Sequence, residues 1–176
     1  MLTKINTLPL NKKSLKKNIL FCMQEVLHDQ LVEKGGITYL KNTKTPFTGN
    51  SLSYWGNGSL HEKIPFKNGK KNGHKFRFYS NKQLQEITLH INGKKEGLAF
   101  AYWKNGNLQT KCTFKRDKIN GILEEYNADG SLWYKQSYKN GEIIPETIIY
   151  FEKDGSVKEE DESLWEAYQK SLKNDS

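Results

Sequence analysis

The chain has 176 residues, enough for one domain with a core or a short repeat array with a flanking segment, and too few for much more. Only 35% of its residues are hydrophobic while 12% are aromatic, which excludes a thick aliphatic core and favours sheets over helix bundles. The net charge of +8 is uneven: residues 1–48 carry 8 lysines against 3 acids, residues 49–144 carry 16 basic against 8 acidic residues, and residues 145–176 carry 4 against 9.

A basic body with an acidic tail fits an acidic partner, a tail folded back on its own body, or a well-solvated surface. Cys22 and Cys112 are separated by 90 positions, with no CxxC and no adjacent histidine. That spacing argues against a zinc site or a disulfide framework and for a reducing compartment.

At the N-terminus, "NKKSLKKNILFCMQEVL" sets basic residues before an apolar run, but Gln24 and Glu25 stop that run after the five residues of "ILFCM". It is too short for a signal-peptide core or a membrane span, so a cytoplasmic location is expected, with the periplasm left open. Ile19, Met23, Val26, Leu27 and Leu31 fall at helical spacing. Residues 1–34 are therefore expected to form a partly helical N-terminal segment, with a strand over residues 19–23 as the alternative.

From Gly49 onward the chain repeats. Units open at Gly49, Gly73, Gly97 and Gly121, 24 residues apart without insertion, and a degraded fifth opens at Pro145. Such self-similarity is the mark of a repeat architecture. Five residues after each glycine stands an aromatic, Tyr54, Phe78, Tyr102 or Tyr126, and Tyr150 keeps that slot in the fifth unit. A turn follows at Asn57-Gly58, Asn81-Lys82, Asn105-Gly106 or Asp129-Gly130, then Leu60, Leu84, Leu108 or Leu132. Asn-Gly and Asp-Gly supply the positive φ angles of tight hairpins, so each unit is predicted to be two short strands. Residues 35–157 are expected to form a mostly β, antiparallel meander of hairpin repeats. "FKNGKKNG" at residues 66–73 is then a unit-to-unit turn; a phosphate-binding loop needs GxxxxGK[ST] between a strand and a helix.

The period of two places Leu52 and Tyr54, Phe76 and Phe78, and Phe100 and Tyr102 on one face, and Trp55, Tyr79 and Trp103 on the other, where Asn127 breaks the series. Both ladders are structural in one reading, covered by the terminal segments. In the other, Trp55, Tyr79 and Trp103 line a partly open face as interface anchors, with Lys75, Arg77, Lys94 and Lys95 steering an acidic partner. Ile87, Leu89 and Ile91, with Gln85, share a face and make the second unit unusually apolar where other units carry Lys111 and Lys115 or Lys135 and Lys139.

At the far end, "KEEDESLWEAYQKSLKN" has acids in its first turn, lysines in its last and an apolar stripe of Leu164, Trp165, Tyr168 and Leu172. Residues 158–176 are expected to be a capping helix and tail. No catalytic constellation stands out. His28, His61, His74 and His90 are scattered, and Glu124 and Glu125 are neighbours in a strand, pointing to opposite faces. No enzyme activity, metal or cofactor is expected.

The unit "YWxNGxLxxxxxFKxxKxNG", with the lead-in "LVEKGGITYLKNTKTPFTG" at residues 31–49, resembles variant MORN-repeat proteins over residues 31–157. Among bacterial members are the YwqK-type toxin–antitoxin antitoxins. The resemblance implies a curved, elongated antiparallel sheet that works by binding, without enzymatic activity. Bacterial members are similar to immunity proteins found beside secreted toxins, including lipid-degrading effectors of type VI secretion. Eukaryotic relatives are linked to membrane or phosphoinositide contact. This chain departs from the pattern at Lys82, at Arg116-Asp117 and in the fourth unit-to-unit turn, residues 140–143, which lacks the lysine pair. The expected function is an immunity protein that covers the active site of a cognate toxin or effector; the alternative is an anionic-lipid surface module or general protein-interaction module. Nucleic acid is not expected as a partner, because the repeat accounts for the aromatics.

Overall fold

The computed structural model describes residues 24–145, 147–158, 161, 163, 165–167 and 169–170. The strand or helix considered over residues 19–23 lies outside them. In the described part of the N-terminal segment the helical spacing gives way to strands. Strand β1 (Glu25–Leu27) leads through a single 3-10 turn (His28–Gln30) into the hairpin β2 (Leu31–Lys34) and β3 (Ile37–Leu40). Val26 and Leu31, which looked like one helical stripe, both pack on Phe47, Ile64 and Phe66 from these extended segments.

The repeats follow as β4 (Gly49–Tyr54), β5 (Leu60–Lys67) and the two-residue β6 (Lys70–Lys71); β7 (Gly73–Phe78) and β8 (Leu84–Ile91); and β9 (Lys94–Tyr102) and β10 (Leu108–Lys115). Next come β11 (Lys118–Ile119), β12 (Gly121–Tyr126), β13 (Leu132–Lys139), β14 (Glu142–Ile143) and β15 (Ile149–Tyr150). Thirteen of these strands make one sheet that does not close, in the order β1-β4-β5-β7-β8-β9-β10-β12-β13-β14, while β2 and β3 pair separately. Its hairpins are antiparallel, as the period predicts, and β1 adds a parallel edge strand beside β4.

Each recurring residue has a mechanical role. In the turn inside a unit, the N–H of the third residue donates to the carbonyl of the residue before the turn, as from Gly58 to Trp55 at 2.8 Å and from Gly106 to Trp103 at 2.8 Å. The Asn or Asp carboxamide or carboxylate oxygen accepts from the backbone two residues on, for example Ser59 to Asn57 and Ser131 to Asp129. Lys82 takes the place of a glycine and still adopts φ +71°. A one-residue bulge just after each turn, on the second strand, then sets Tyr54 against Leu60, Phe78 against Leu84, Tyr102 against Leu108 and Tyr126 against Leu132. The repeated aromatic and leucine are thus one cross-strand pair. Between units, Arg116 and Asp117 hold φ +51° and +71°, so the turn geometry survives without Asn-Gly.

Two apolar clusters lie on one face of the sheet, the core face. The first is Phe47, Ile64 and Phe66; the second is Ala99, Cys112 and Leu123, with Phe114, Ile119, Tyr134 and Tyr138 against it. Full burial of a side chain such as Phe66 contributes roughly 2–3 kcal/mol. At the C-terminal end the Tyr150 N–H donates to the buried Asp161 carboxylate at 2.9 Å, and the Phe151 and Trp165 rings meet edge to face at 5.5 Å. Those contacts tie the short C-terminal helix to the last strand.

Candidate functional site

The two edges of the repeat array differ. Along the edge of turns within units, side chains reach one unit ahead. Trp55 Nε1 donates to the Phe78 carbonyl at 2.9 Å, the Tyr79 hydroxyl to the Tyr102 carbonyl at 2.8 Å, and Trp103 Nε1 to the Tyr126 carbonyl at 2.9 Å. Asn57, Asn81 and Asn105 make parallel bonds from their amides to the carbonyls of Ser80, Lys104 and Ala128. Asn127, next in the aromatic series, bonds instead to Ser131 Oγ in its own turn. Trp55, Tyr79 and Trp103 therefore act as staples between units, with their polar atoms engaged.

Along the other edge, each turn N–H reaches back to the preceding unit, from Gly93 to the Lys71 carbonyl and from Gly141 to the Ile119 carbonyl, both 2.8 Å. Both edges are thus hydrogen-bonded from unit to unit, and the surface between them is held rigidly.

On the core face, a polar seam separates the two apolar clusters. Where the first unit has Ile64 and Phe66 and the third has Cys112 and Phe114, the second has Thr88 and His90, both buried. Its neighbours Lys75 and Arg77 pair with Glu62 at 2.9 and 3.1 Å, and Arg77 also with Glu86 at 3.4 Å. Thr88 Oγ1 donates to Glu86 at 2.6 Å. Burial pushes the Glu62 carboxyl up, but its bonds to Lys75 and Arg77 outweigh that and hold it below the usual carboxylate range. Burial and the nearby lysines 71, 75 and 95 push His90 down, against a bond to the Thr88 carbonyl. Burial also pushes the Cys112 thiol up, which disfavours a nucleophilic thiolate. The charges here neutralise one another inside the fold. The hairpin β2–β3 overhangs this seam, and Val32, Thr38, Lys71, Lys75 and Arg77 line a cleft of about 380 Å³ between them.

The opposite, far face shows the reverse polarity. Cross-strand register places Lys63, Phe76, Ile87, Phe100, Lys111, Glu124 and Lys135 in one row. The slot holding Ile87 is a lysine in the other three units, Lys63, Lys111 and Lys135. Phe76 and Phe78 stack at 6.5 Å, and Leu89, Leu98 and Phe100 extend the patch. Leu98 is 51% exposed, Ile91 47% and Tyr54 50%. The flanking cations are tied down: Lys63 to Glu25 at 2.8 Å, and Lys111 and Lys135 to the same Glu124 at 2.9 and 3.0 Å.

The residues singled out from the sequence divide accordingly. Ile87, Leu89 and Ile91 lie on the far face with Lys94, which is exposed opposite Ile91. Lys75 and Arg77 lie on the core face in ion pairs, and Lys95 sits there with its ammonium 4.7 Å from the centre of the Phe114 ring. Gln85 is the extra residue of its unit's bulge, between Leu84 and Glu86, which removes it from the simple alternation. Sequence reasoning passed over Leu98 and Phe100 as members of the patch; the neighbouring glycine and alanines, Gly97, Ala99 and Ala101, hide their alternation in "GLAFAY". Among the described residues, no group of three His, Cys, Asp or Glu could hold a metal ion, and no helix is long and apolar enough to cross a membrane.

Three stretches of the chain, residues 47–68, 95–116 and 119–140, match the MORN repeat variant. Repeats of that kind are in general protein- and membrane-binding modules, not enzymes. Residues 69–94 fall between the first two matches and hold most of the unit whose two faces have exchanged polarity. No curated protein matches the chain.

Proposed function

We propose that this protein is a non-catalytic binding protein, an immunity protein that holds a cognate toxin or secreted effector against the far face of its sheet and sterically covers the effector's active site. The observation that carries the reading is the apolar patch formed by Phe76, Ile87 and Leu89 of the second unit, where a lysine slot has become isoleucine, and continued by Leu98 and Phe100 of the third. Exposing these side chains in water has a cost that a partner removes, and a surface fixed at both edges binds with little loss of conformational freedom. Flanking lysines paired with Glu25 and Glu124 form a polar rim around an apolar centre, the usual anatomy of a specific interface.

The test is affinity capture of the tagged protein from its native cell extract, with extract from a strain lacking the candidate toxin as the control and mass spectrometry to identify any stoichiometric companion. The expected result is one dominant protein that is toxic alone and harmless when co-expressed with this chain. Leu98→Glu is expected to abolish that protection while the fold melts as before. A companion whose toxicity is unaffected by co-expression would overturn the reading.

A further inference from the structure

Resting on that reading of the far face, we infer that the partner presents an amphipathic helix laid across the strands, with an apolar stripe on the patch and carboxylates spaced every seven residues on a lysine row. The register places Lys67 opposite Lys70, Ile91 opposite Lys94, Lys115 opposite Lys118, and Lys139 opposite Glu142, all on the far face at the edge of unit-to-unit turns. These six lysines are exposed, and none has an ion-pair partner among the described residues. Two acids of this edge are committed elsewhere, Glu96 accepting from the Arg116 N–H and Asp117 from the Lys95 N–H, and Glu142 faces Lys139 alone. Mid-strand cations are neutralised inside the fold and edge cations are left free.

Two of these pairs set like charges directly opposite each other, an arrangement that destabilises a sheet. The fourth unit has the alternative in the same slot, Lys139 opposite Glu142, yet the first and third keep the repulsion. One stem is also placed: a Cβ on Gly141 would touch Lys118 Cβ, Cγ and Cδ at 3.4–3.6 Å, so that lysine lies along the next turn. A row of exposed ammonium groups without ion-pair partners among the described residues matches a line of carboxylates.

Spacing decides what carries them. Successive units repeat about 10 Å apart across the sheet, two strand separations, and seven residues of helix rise about 10.5 Å. The Leu89 position lies two residues, about 7 Å along the strand, from the lysine row, within the width of one helix. A helix seated on Leu89 and Leu98 therefore brings one flank over the lysines.

The probe is a dye-labelled helical peptide of about 22 residues with a leucine stripe and glutamate at every seventh position on one flank. Its isomer carries the glutamates on the far side. Anisotropy is read in about 50 mM salt. The first peptide is expected to bind saturably and the isomer at least about tenfold more weakly. K70E/K118E, which converts both repelling pairs into opposite-charge pairs, is expected to weaken binding about tenfold without lowering the melting temperature. The charge-matched K82E/K104E on the other edge is expected to leave binding within about twofold.

Equal loss in both double variants, or equal binding of both peptides, would overturn the proposal in favour of diffuse attraction. Tighter lysine-dependent binding of phosphatidylserine vesicles or of an oligothymidylate would overturn it in favour of lipid headgroups or nucleic acid. Absence of peptide binding while Leu98→Glu still abolishes protection would remove the helix and leave the immunity reading in place.

Discussion

Trp103 and Tyr126 are joined across two units by a hydrogen bond of 2.9 Å from the indole nitrogen to the backbone carbonyl, at a separation of 23 residues. Trp103→Phe keeps an aromatic and removes the donor, leaving one carbonyl short of a partner. The expected loss is about 1 kcal/mol in urea unfolding, with the partner's affinity unchanged. An affinity loss larger than the stability loss would return Trp103 to the interface.

Lys118→Glu should stabilise the protein. It replaces the Lys115–Lys118 repulsion with the opposite-charge arrangement already present at Lys139 and Glu142. A gain of roughly 0.5 kcal/mol is expected at low salt, shrinking as salt rises. Thermal melts at two salt concentrations are the measurement, and an unchanged difference at high salt would point away from charge.

Gly69 and Gly58 both have positive φ, +76° and +79°, but in different surroundings. A Cβ on Gly69 would collide with Ile37 Cγ2 and come within 2.8 Å of the Thr38 carbonyl, whereas nothing lies within 4 Å of one on Gly58. Gly58→Ala is expected to cost about 1 kcal/mol, the strain of the left-handed backbone alone. Gly69→Ala adds the steric term, about 3 kcal/mol or more in total, and should release the β2–β3 hairpin. Hydrogen exchange at Thr38, whose N–H donates to the Gly69 carbonyl at 2.9 Å, reports the release.

Acid should weaken the sheet through Glu62 and Glu124. Burial raises both carboxyls, but Lys75 and Arg77 on the first, and Lys111 and Lys135 on the second, hold them below their ordinary 4.5. Each folded-state value being depressed, their contribution is complete above pH 4.5 and is lost as pH falls through the lower folded values. E62Q/E124Q is expected to be less stable at neutral pH and to lose less stability between about pH 5 and pH 3. Denaturant melts across that range test it, and parallel slopes for the two proteins would contradict it.

Glu125 has the opposite sign. Burial raises its carboxyl, partly offset by the hydroxyl of Thr110 at 3.0 Å. A carboxylate raised in the folded state favours folding below its pKa and opposes it above. Glu125→Gln should therefore stabilise the protein at neutral pH, its amide oxygen still accepting from Thr110, and the gain should vanish at acid pH.

The hairpins and their turns were legible because their determinants are local. Asn57 or Asp129 needs only the backbone two residues on, and a glycine or Lys82 beside it supplies the positive φ. The destinations of the Trp55 and Trp103 donors were not legible, since alternation reports a face and says nothing about a carbonyl 23 residues away. Residues 25–34 misled because three apolar positions at helical spacing also suit a short edge strand followed by a hairpin. Ile87 and Ile91 stood out as apolar intruders in lysine slots, and with Leu89 they do share a face. That the edge lysines confront one another required the register, because two-residue turns bring Lys67 to Lys70 and Lys115 to Lys118 without any mark in the sequence.

Asn127 turns inward to Ser131 where its counterparts cross to the next unit, so the coupling between neighbours is not uniform along the array. Past that point the chain is held by different means, Gln136 to Thr147 at 2.9 Å and Tyr150 to Asp161. In a linear array each unit is stabilised chiefly by its neighbours, and opening begins where that coupling is weakest. The molecule is thus a zipper with a built-in slider stop: it is expected to part from the C-terminal end toward Trp103, and the apolar patch, just inside that staple and spanned by the Tyr79 one, keeps its shape while the end breathes.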